Sequence, residues 1–439
     1  MATTTVHTLT LTPADVAHLV DTLRPYHEIY GSFFPRSESR TWAAHYLHGL
    51  LSPLERKSVE PMVIAQFGAS ERLVRGMQQF LTDSTWDDTA ILRRHWHEVA
   101  IDLDDAEGMF IVDGSDFPKK GHQSVGVTRP YCGQLGKIAN CQAGVFLAYT
   151  SPHGTTLLDL RLYLPQEWVD DPAFAARRHQ CHVPADVVFH TKNELAVAML
   201  ADVVTSQALH ARWFLADEAF GRDTVLLDAV DALGLWSTVE VPLDTPVWRD
   251  GATQATTAQA QFTALPATAW TRHLVGDGTN GPRITEAHVQ RVHAQRAGWA
   301  GPAVWLILRI DPESGEQKAF LSNAPETTTA PRLITVTGRR WPIEECFEVG
   351  KQNLGMGDCE VRSWTGWHHH LTLVILAHFF LVRLHGGLKK KSLAEPGPGL
   401  HAPQRPAALA TPHRGHRPGA DFLLSPATPG GENRPSPPH

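Results

Sequence analysis

From residue 12 to about residue 99, apolar positions recur at spacings of three and four, the period of an amphipathic helix. Thr12-Pro13-Ala14-Asp15 opens the pattern, with proline suited to a first turn. Within it, residues 59–81 read as two helices: Gly68 supplies the turn, and Ser70 caps the second helix three residues before Leu73. Arg72, Arg75 and Gln78 then face outward. This fits a helix-turn-helix and, equally, an ordinary turn of a helical bundle.

The period changes to two after residue 108. Runs broken by Gly and Pro predict strands at 109–113, 124–128, 142–149 and 155–163, three of them adjacent and opening a mixed sheet. A helix is predicted over 191–210, started by Thr191 and carried by Leu195, Ala198, Met199 and Val203. A strand over 212–216 follows and delivers Asp217. Residues 236–335 are rich in Thr, Ala, Val and Trp, with strands predicted at 238–241, 304–310 and 318–322. The most apolar run, 371–384, is too short to span a bilayer and contains His378, so it reads as a buried helix. Residues 1–12 are Thr-rich and expected to be mobile. Residues 395–439, rich in Pro, Gly, His and Arg, have almost no periodicity and are expected to be disordered, because they cannot bury enough apolar surface.

The length, 439 residues, suggests two or three domains with chain to spare for a core. An apolar fraction of 42% with 19% charge is ordinary for a globular protein. The net charge of −7 argues against a general nucleic-acid binder, whose domains are usually basic. Charge is uneven, however: residues 388–439 carry a net +4, leaving −11 for residues 1–387. Any DNA chemistry must therefore use a local basic groove, with some acids committed to metal. The five cysteines form no CxxC pair, and no signal peptide is evident, which points to a reducing cytosol. Cys132 and Cys141 sit in a Gly-rich segment and read as free thiols in preference to zinc ligands.

Candidate chemistry concentrates in residues 340–351. Arg340, Glu344 and Lys351 stand at i, i+4 and i+11, within roughly 40° of one another on a helix. A carboxylate flanked by two cations suits holding a metal beside a phosphate. Asp113 and Asp217 each end an apolar, strand-like run. Two strand-end aspartates and a helix glutamate form the arrangement of a two-metal phosphoryl-transfer site. Pro342 would set Glu344 in the first helical turn, where free N–H groups favour an anion. Taken singly, each has a plainer explanation. Asp113 before Gly-Ser could be a turn, Asp217 beside Glu218 a solvated pair, and Arg340–Glu344 a surface salt bridge worth about 0.3–0.5 kcal/mol. Glu345 or Glu348 could also be the acid. Lys119 and Lys120, after the first strand, are candidate phosphate contacts. His368, His369 and His370 are consecutive, cannot all face one ion, and read as polar residues at a helix start.

These residues carry a family resemblance. The chain resembles bacterial insertion-sequence transposases of the DDE, RNase H-like class, in the branch with a Tyr-x2-Arg-x3-Glu-x6-Lys signature. Arg340, Glu344 and Lys351 fit its last three positions; Thr337 stands where the tyrosine, a phosphate contact in the family, would be. The resemblance extends through 113–121, 124–127, 131–137, Asp217 and 360–370. It implies an α/β fold: an RNase H-like mixed sheet flanked by helices, an all-α N-terminal domain and a β-rich insertion.

The implied organisation is a helical DNA-binding domain (1–100), the first part of the catalytic domain (101–235), the insertion (236–335), the C-terminal helical part (336–394) and the tail (395–439). The resemblance further implies that Asp113, Asp217 and Glu344 hold Mg²⁺, with Mn²⁺ able to substitute. Arg340, Lys351, Lys119, Lys120, Arg72 and Arg75 would contact DNA. One tryptophan among 236, 248, 270, 299 and 305 would hold a flipped base. The implied activity is cut-and-paste transposition: nicking at the element's ends, a hairpin or equivalent step, then strand transfer. Its partners would be double-stranded DNA, as terminal inverted repeats and target, and a second copy in the DNA complex, with no membrane. The setting would be bacterial cytoplasm, at the nucleoid when DNA is bound. The rival expectations are an inactive or domesticated DNA-binding derivative and a metal-dependent nuclease without strand transfer.

Overall fold

The computed structural model describes residues 13–278 and 281–394; the segments 1–12 and 395–439, expected to be mobile and disordered, lie outside the described residues. Five helices come first: α1 (Pro13–Glu28), α2 (Ser37–Leu50), α3 (Val59–Phe67), α4 (Glu71–Thr82) and α5 (Asp88–Leu103). Gly68 turns between α3 and α4 at φ 80°, a backbone conformation that glycine adopts without a Cβ penalty. Ser70 holds the N-cap position of α4, but its side chain makes no capping bond. Met77, Phe80 and Leu81 face the core, while Arg72, Arg75 and Gln78 are exposed as the period demands.

Strand β1 (Met109–Pro118) then leads into a two-stranded hairpin, β2 (Tyr131–Cys132) and β3 (Lys137–Ile138), followed by β4 (Cys141–Ser151) and β5 (Gly154–Tyr163). Short helices α6 (Gln166–Asp170) and α7 (Ala175–Gln180) precede α8 (Lys192–Ser206). The start of α8 is fixed by a capping box in which Thr191 and Glu194 satisfy each other's backbone N–H groups. Strand β6 (Trp213–Ala216), α9 (Glu218–Gly221), α10 (Thr224–Ala232) and β7 (Trp236–Val241) complete the central unit. In space, β5, β4 and β1 are antiparallel neighbours, and β1, β6 and β7 run parallel. This is the RNase H-like mixed sheet that was expected.

Two expectations fail locally. Residues 124–128 form a turn and a single bridge to Cys141, because Gly126 at φ 70° bends the chain and Gln142 Nε2 donates to the Val125 carbonyl. Asp113 lies in the middle of β1 and not at its end, since Gly114 to Pro118 continue pairing with β4.

The β-rich segment adds β8 (Pro246–Trp248), β9 (Thr256–Thr257), α11 (Ala258–Ala264), β10 (Thr271–Gly278), β11 (Gly281–Arg296), β12 (Trp299–Ile310) and β13 (Gln317–Ser322). Strand β13 pairs antiparallel with β7, so these strands extend the central sheet to eleven strands. Three helices close the described chain: α12 (Ala330–Thr337), α13 (Pro342–Asn353) and α14 (Trp364–Ala394). The apolar run at 371–384 is the middle of α14. Over Trp364–Gly387 that helix is long and apolar enough to cross a membrane by length and composition. Here Leu371 to Phe380 are buried, with α14 packed on β5, α2, α4 and α5. It joins the helical N-terminal part to the sheet.

Candidate active site

Val112 of β1 pairs with Ala216 of β6, so Asp113 and Asp217 are the next residues along two neighbouring parallel strands. Beyond this point β6 ends and Asp217 turns the chain. Its Oδ1 accepts from the backbone N–H groups of Ala219 (2.9 Å) and Phe220 (3.3 Å), capping α9. Helix α13 brings the third acid. Pro342 stands in its first turn, and Glu344 lies there half-buried.

Arg340, just before α13, joins two of the acids. Its Nη1 donates to Asp113 Oδ2 at 3.0 Å and its Nη2 to Glu344 Oε1 at 2.6 Å. Burial works against the charge of this guanidinium, yet Asp113, Glu344 and Asp217 together hold it above its ordinary value. Asp113, with a side chain only 14% exposed, is affected most. Burial first, then the Asp217 carboxylate, push its carboxyl up to about 7, with Glu344 adding to the effect. Arg340 and the Gly114 N–H, which donates to Asp113 Oδ1 at 2.7 Å, pull the other way. Two carboxylates therefore crowd a third in a site poor in water.

Such an all-oxygen set of acids fits a hard divalent cation, which would neutralise the repulsion that burial intensifies. Asp217 adjoins Asp113 across the two parallel strands, and Arg340 bridges Asp113 and Glu344.

The other acids of α13 stand apart. Glu345 and Glu348 are exposed, and Glu348 accepts from Gln352. Glu218 pairs with Arg222. Lys351, two turns beyond Glu344, does not reach the acids: its Nζ donates to Gln134 Oε1 at 3.1 Å and lies over the Phe117 ring. Burial lowers its pKa. Lys119 donates to the Cys359 carbonyl at 2.7 Å, and Lys120 is exposed. Arg72 and Arg75 lie on α4; Arg75 pairs with Glu71. Thr337, in the tyrosine position, is buried and turned inward, accepting from Arg309 at 3.0 Å and donating to the Ile334 carbonyl.

The three histidines are buried and bond to three different places: His368 to the Trp364 carbonyl, His369 to those of Leu81 and Trp86, and His370 to the Tyr46 hydroxyl. Among the tryptophans, Trp299 at the β11–β12 turn is 78% exposed, while Trp248 is buried and Trp270 stacks on Phe262. Sequence reasoning missed Gln134 and Arg283. The Arg283 guanidinium, on β11, lies 4.8 Å from the centre of the Trp341 ring and so brings that strand against the head of α13. A cavity of about 840 Å³ lined by Ala106, Val204, His210, Arg212 and Trp236 opens at the opposite ends of the parallel strands, away from the acids.

The chain is similar to known proteins. One relative is a "Probable transposase for insertion sequence element IS701" from Microchaete diplosiphon, 29% identical over 216 residues. The match takes in 48% of this chain, which spans about half (50%) of that relative's length. Among solved structures, the cryo-EM structure of the piggyBac transposase synaptic complex with hairpin DNA aligns at 9% identity and TM-score 0.41. That alignment covers 83% of this chain and 68% of the other. The family model described as "DDE superfamily endonuclease" matches residues 30–299, which include Asp113 and Asp217 but end before Glu344. With more than half its length matched, the chain belongs to the DDE superfamily endonucleases.

Proposed function

We propose that this chain is an insertion-sequence transposase whose active site is Asp113, Asp217 and Glu344, acting on the DNA ends of its own element with Mg²⁺. The observation that carries this reading is the convergence of the acids. Asp113 and Asp217 adjoin across β1 and β6, and Arg340 ties Asp113 to Glu344, 231 positions further along the chain. Burial, with the Asp217 and Glu344 carboxylates adding to it, raises the Asp113 carboxyl to about 7, as neither a solvated loop pair nor a surface salt bridge would.

When bound, divalent cations would activate the attacking oxygen and stabilise the leaving one. The residues' own work is to hold and to orient. Asp113 would be held by the sheet, paired with Phe146 of β4 and next to the last β1–β6 pair. Asp217 is fixed by its capping bonds to α9, and Glu344 by the first turn of α13. Arg340 would exchange its carboxylates for a phosphate, to which its planar fork is suited. Lys351, Lys119 and Lys120 would contact the DNA backbone, with α3 and α4 binding DNA through Arg72 and Arg75. The insertion would hold a flipped base, and two copies would bring the element's ends together in bacterial cytoplasm, at the nucleoid.

The test is cleavage of end-containing DNA with Mg²⁺, followed by integration of the cut end into a plasmid. Asp113→Ala, Asp217→Ala and Glu344→Ala should each abolish cleavage while DNA binding persists. Undiminished cleavage by one of them removes that residue from the site. Cleavage without integration would mark a nuclease, and binding without cleavage an inactive derivative.

A further inference from the structure

A second cluster of ligand-type side chains stands apart from the acids. Asp116 lies three residues past Asp113 on β1, so strand alternation sends its side chain to the other face of the sheet. Cys132 belongs to β2, and Cys141 opens β4 opposite Pro118. One ligand atom from each of the three lies within 4.8 Å of the others, and the two sulfurs are 3.4 Å apart. Both cysteines are buried, and Asp116 is half-buried. Asp116 is also held in place, its Oδ2 accepting from the Gly133 N–H at 2.8 Å.

We propose that Asp116, Cys132 and Cys141 bind one thiophilic divalent cation, zinc by preference. The sulfurs are free thiols and not a disulfide, whose S–S bond is about 2.05 Å. They are within a few tenths of an ångström of the ~3.8 Å that tetrahedral zinc imposes on two thiolates bound at about 2.3 Å. Binding forms two zinc–sulfur bonds and one zinc–oxygen bond, and the two thiol protons pass to solvent. The fourth tetrahedral position is left to water. Charge also balances: two thiolates and a carboxylate are met by a divalent cation and by Lys351, whose ammonium feels all three groups. Thiolates select zinc over magnesium, whereas an all-carboxylate set suits a hard cation, so the two clusters differ in the ion their ligand chemistry favours.

The cation would fasten the β2–β3 hairpin to β1 and β4. Gln134, in the loop of that hairpin, then holds Lys351 in register beside the strand that carries Asp113. The inference does not depend on the acids being catalytic.

Metal analysis of the full chain, purified with reductant and without chelator, tests it. The expected result is about one zinc per chain, lost in Cys132→Ser and in Cys141→Ser and weakened in Asp116→Asn. Should the serine variants fold poorly, Cd²⁺ titrated into the metal-free wild type gives a second reading. Thiolate-to-cadmium ultraviolet absorption should saturate at about one equivalent. Zinc retained by both serine variants, or no such absorption from the reduced chain, would overturn the proposal. So would a Cys132–Cys141 disulfide in protein kept under reductant, which would make the pair a redox couple.

Discussion

The Arg340 guanidinium donates to the Asp113 carboxylate at 3.0 Å across 227 positions of the chain, and this contact docks α13 on the central strand. The other half of the fork, on Glu344, makes Arg340 the internal counter-ion of the site. Arginine can serve two carboxylates at once because its donors are fixed in one plane.

Removing that counter-ion should therefore be costly only while no metal replaces it. Arg340→Ala is expected to lower the metal-free protein's stability by about 1–3 kcal/mol, because two half-buried carboxylates lose their partner. Added Mg²⁺ should recover more stability in the variant than in the wild type. Arg340→Lys should keep the charge but not the fork, and so fall between. Urea unfolding with and without Mg²⁺ measures this; equal stability without metal in all three proteins would contradict it.

Asp113 gives the site a pH dependence of definite sign. Its folded-state carboxyl sits near 7, well above the ordinary value that applies in the unfolded chain. Below about pH 4 both states hold the proton, and its stabilising contribution is complete. As pH rises toward and through 7, the unfolded chain binds fewer protons than the folded one, and that contribution is lost. Metal-free wild type should therefore lose melting temperature between about pH 5 and about pH 8 relative to Asp113→Asn, which has no such proton to release. Parallel melting curves over that range would show that Asp113 is not perturbed.

Much of this was legible in the chain, and the failures share a cause. The helices of residues 13–103, the strand before Asp217 and the turn position of Glu344 followed from period and capping. Burial was harder to read. His368 to His370 look polar in sequence, yet all three are buried and hydrogen-bonded where α14 packs on α2, α4, α5 and β5. Strand β11 went unseen because half of its residues are Arg, His, Gln or Thr. Its turn uses Ala297-Gly298, at φ 50° and 86°, without the usual Asn-Gly. Asp116 could not be joined to Cys132 and Cys141 by spacing, since strand pairing alone brings β1 against β4.

Lys57 couples the N-terminal helices to α13. Its ammonium donates to the carbonyls of Leu50, at the end of α2, and Asn353, at the end of α13, while its backbone N–H donates to Asp358. A cation between two helix C-termini satisfies carbonyls that have no partner within their own helices. Lys57→Met keeps the stem and removes the donors, so it should cost about 1–3 kcal/mol. Hydrogen exchange should localise the loss to the last turns of α2 and α13; unchanged protection there would show the contact to be idle.

Gly221 tests whether the fold around Asp217 sets activity. It ends α9 directly against β7, where an added Cβ would lie 2.2 Å from the Glu240 carbonyl oxygen and 3.1 Å from Val239 Cβ. Strand and helix backbones cannot both stay in place, so Gly221→Ala must push the Asp217 turn away from β6 and β7. The expected cost is about 1–3 kcal/mol from overpacking. Under the proposed function, cleavage should fall more than the stability loss explains, because metal-assisted phosphoryl transfer tolerates little displacement of a ligand. Gly357→Ala, whose Cβ would meet open space, serves as the control and should leave both properties unchanged. If Gly221→Ala lost stability but kept full Mg²⁺-dependent cleavage, Asp217 would not be a ligand whose position the chemistry needs.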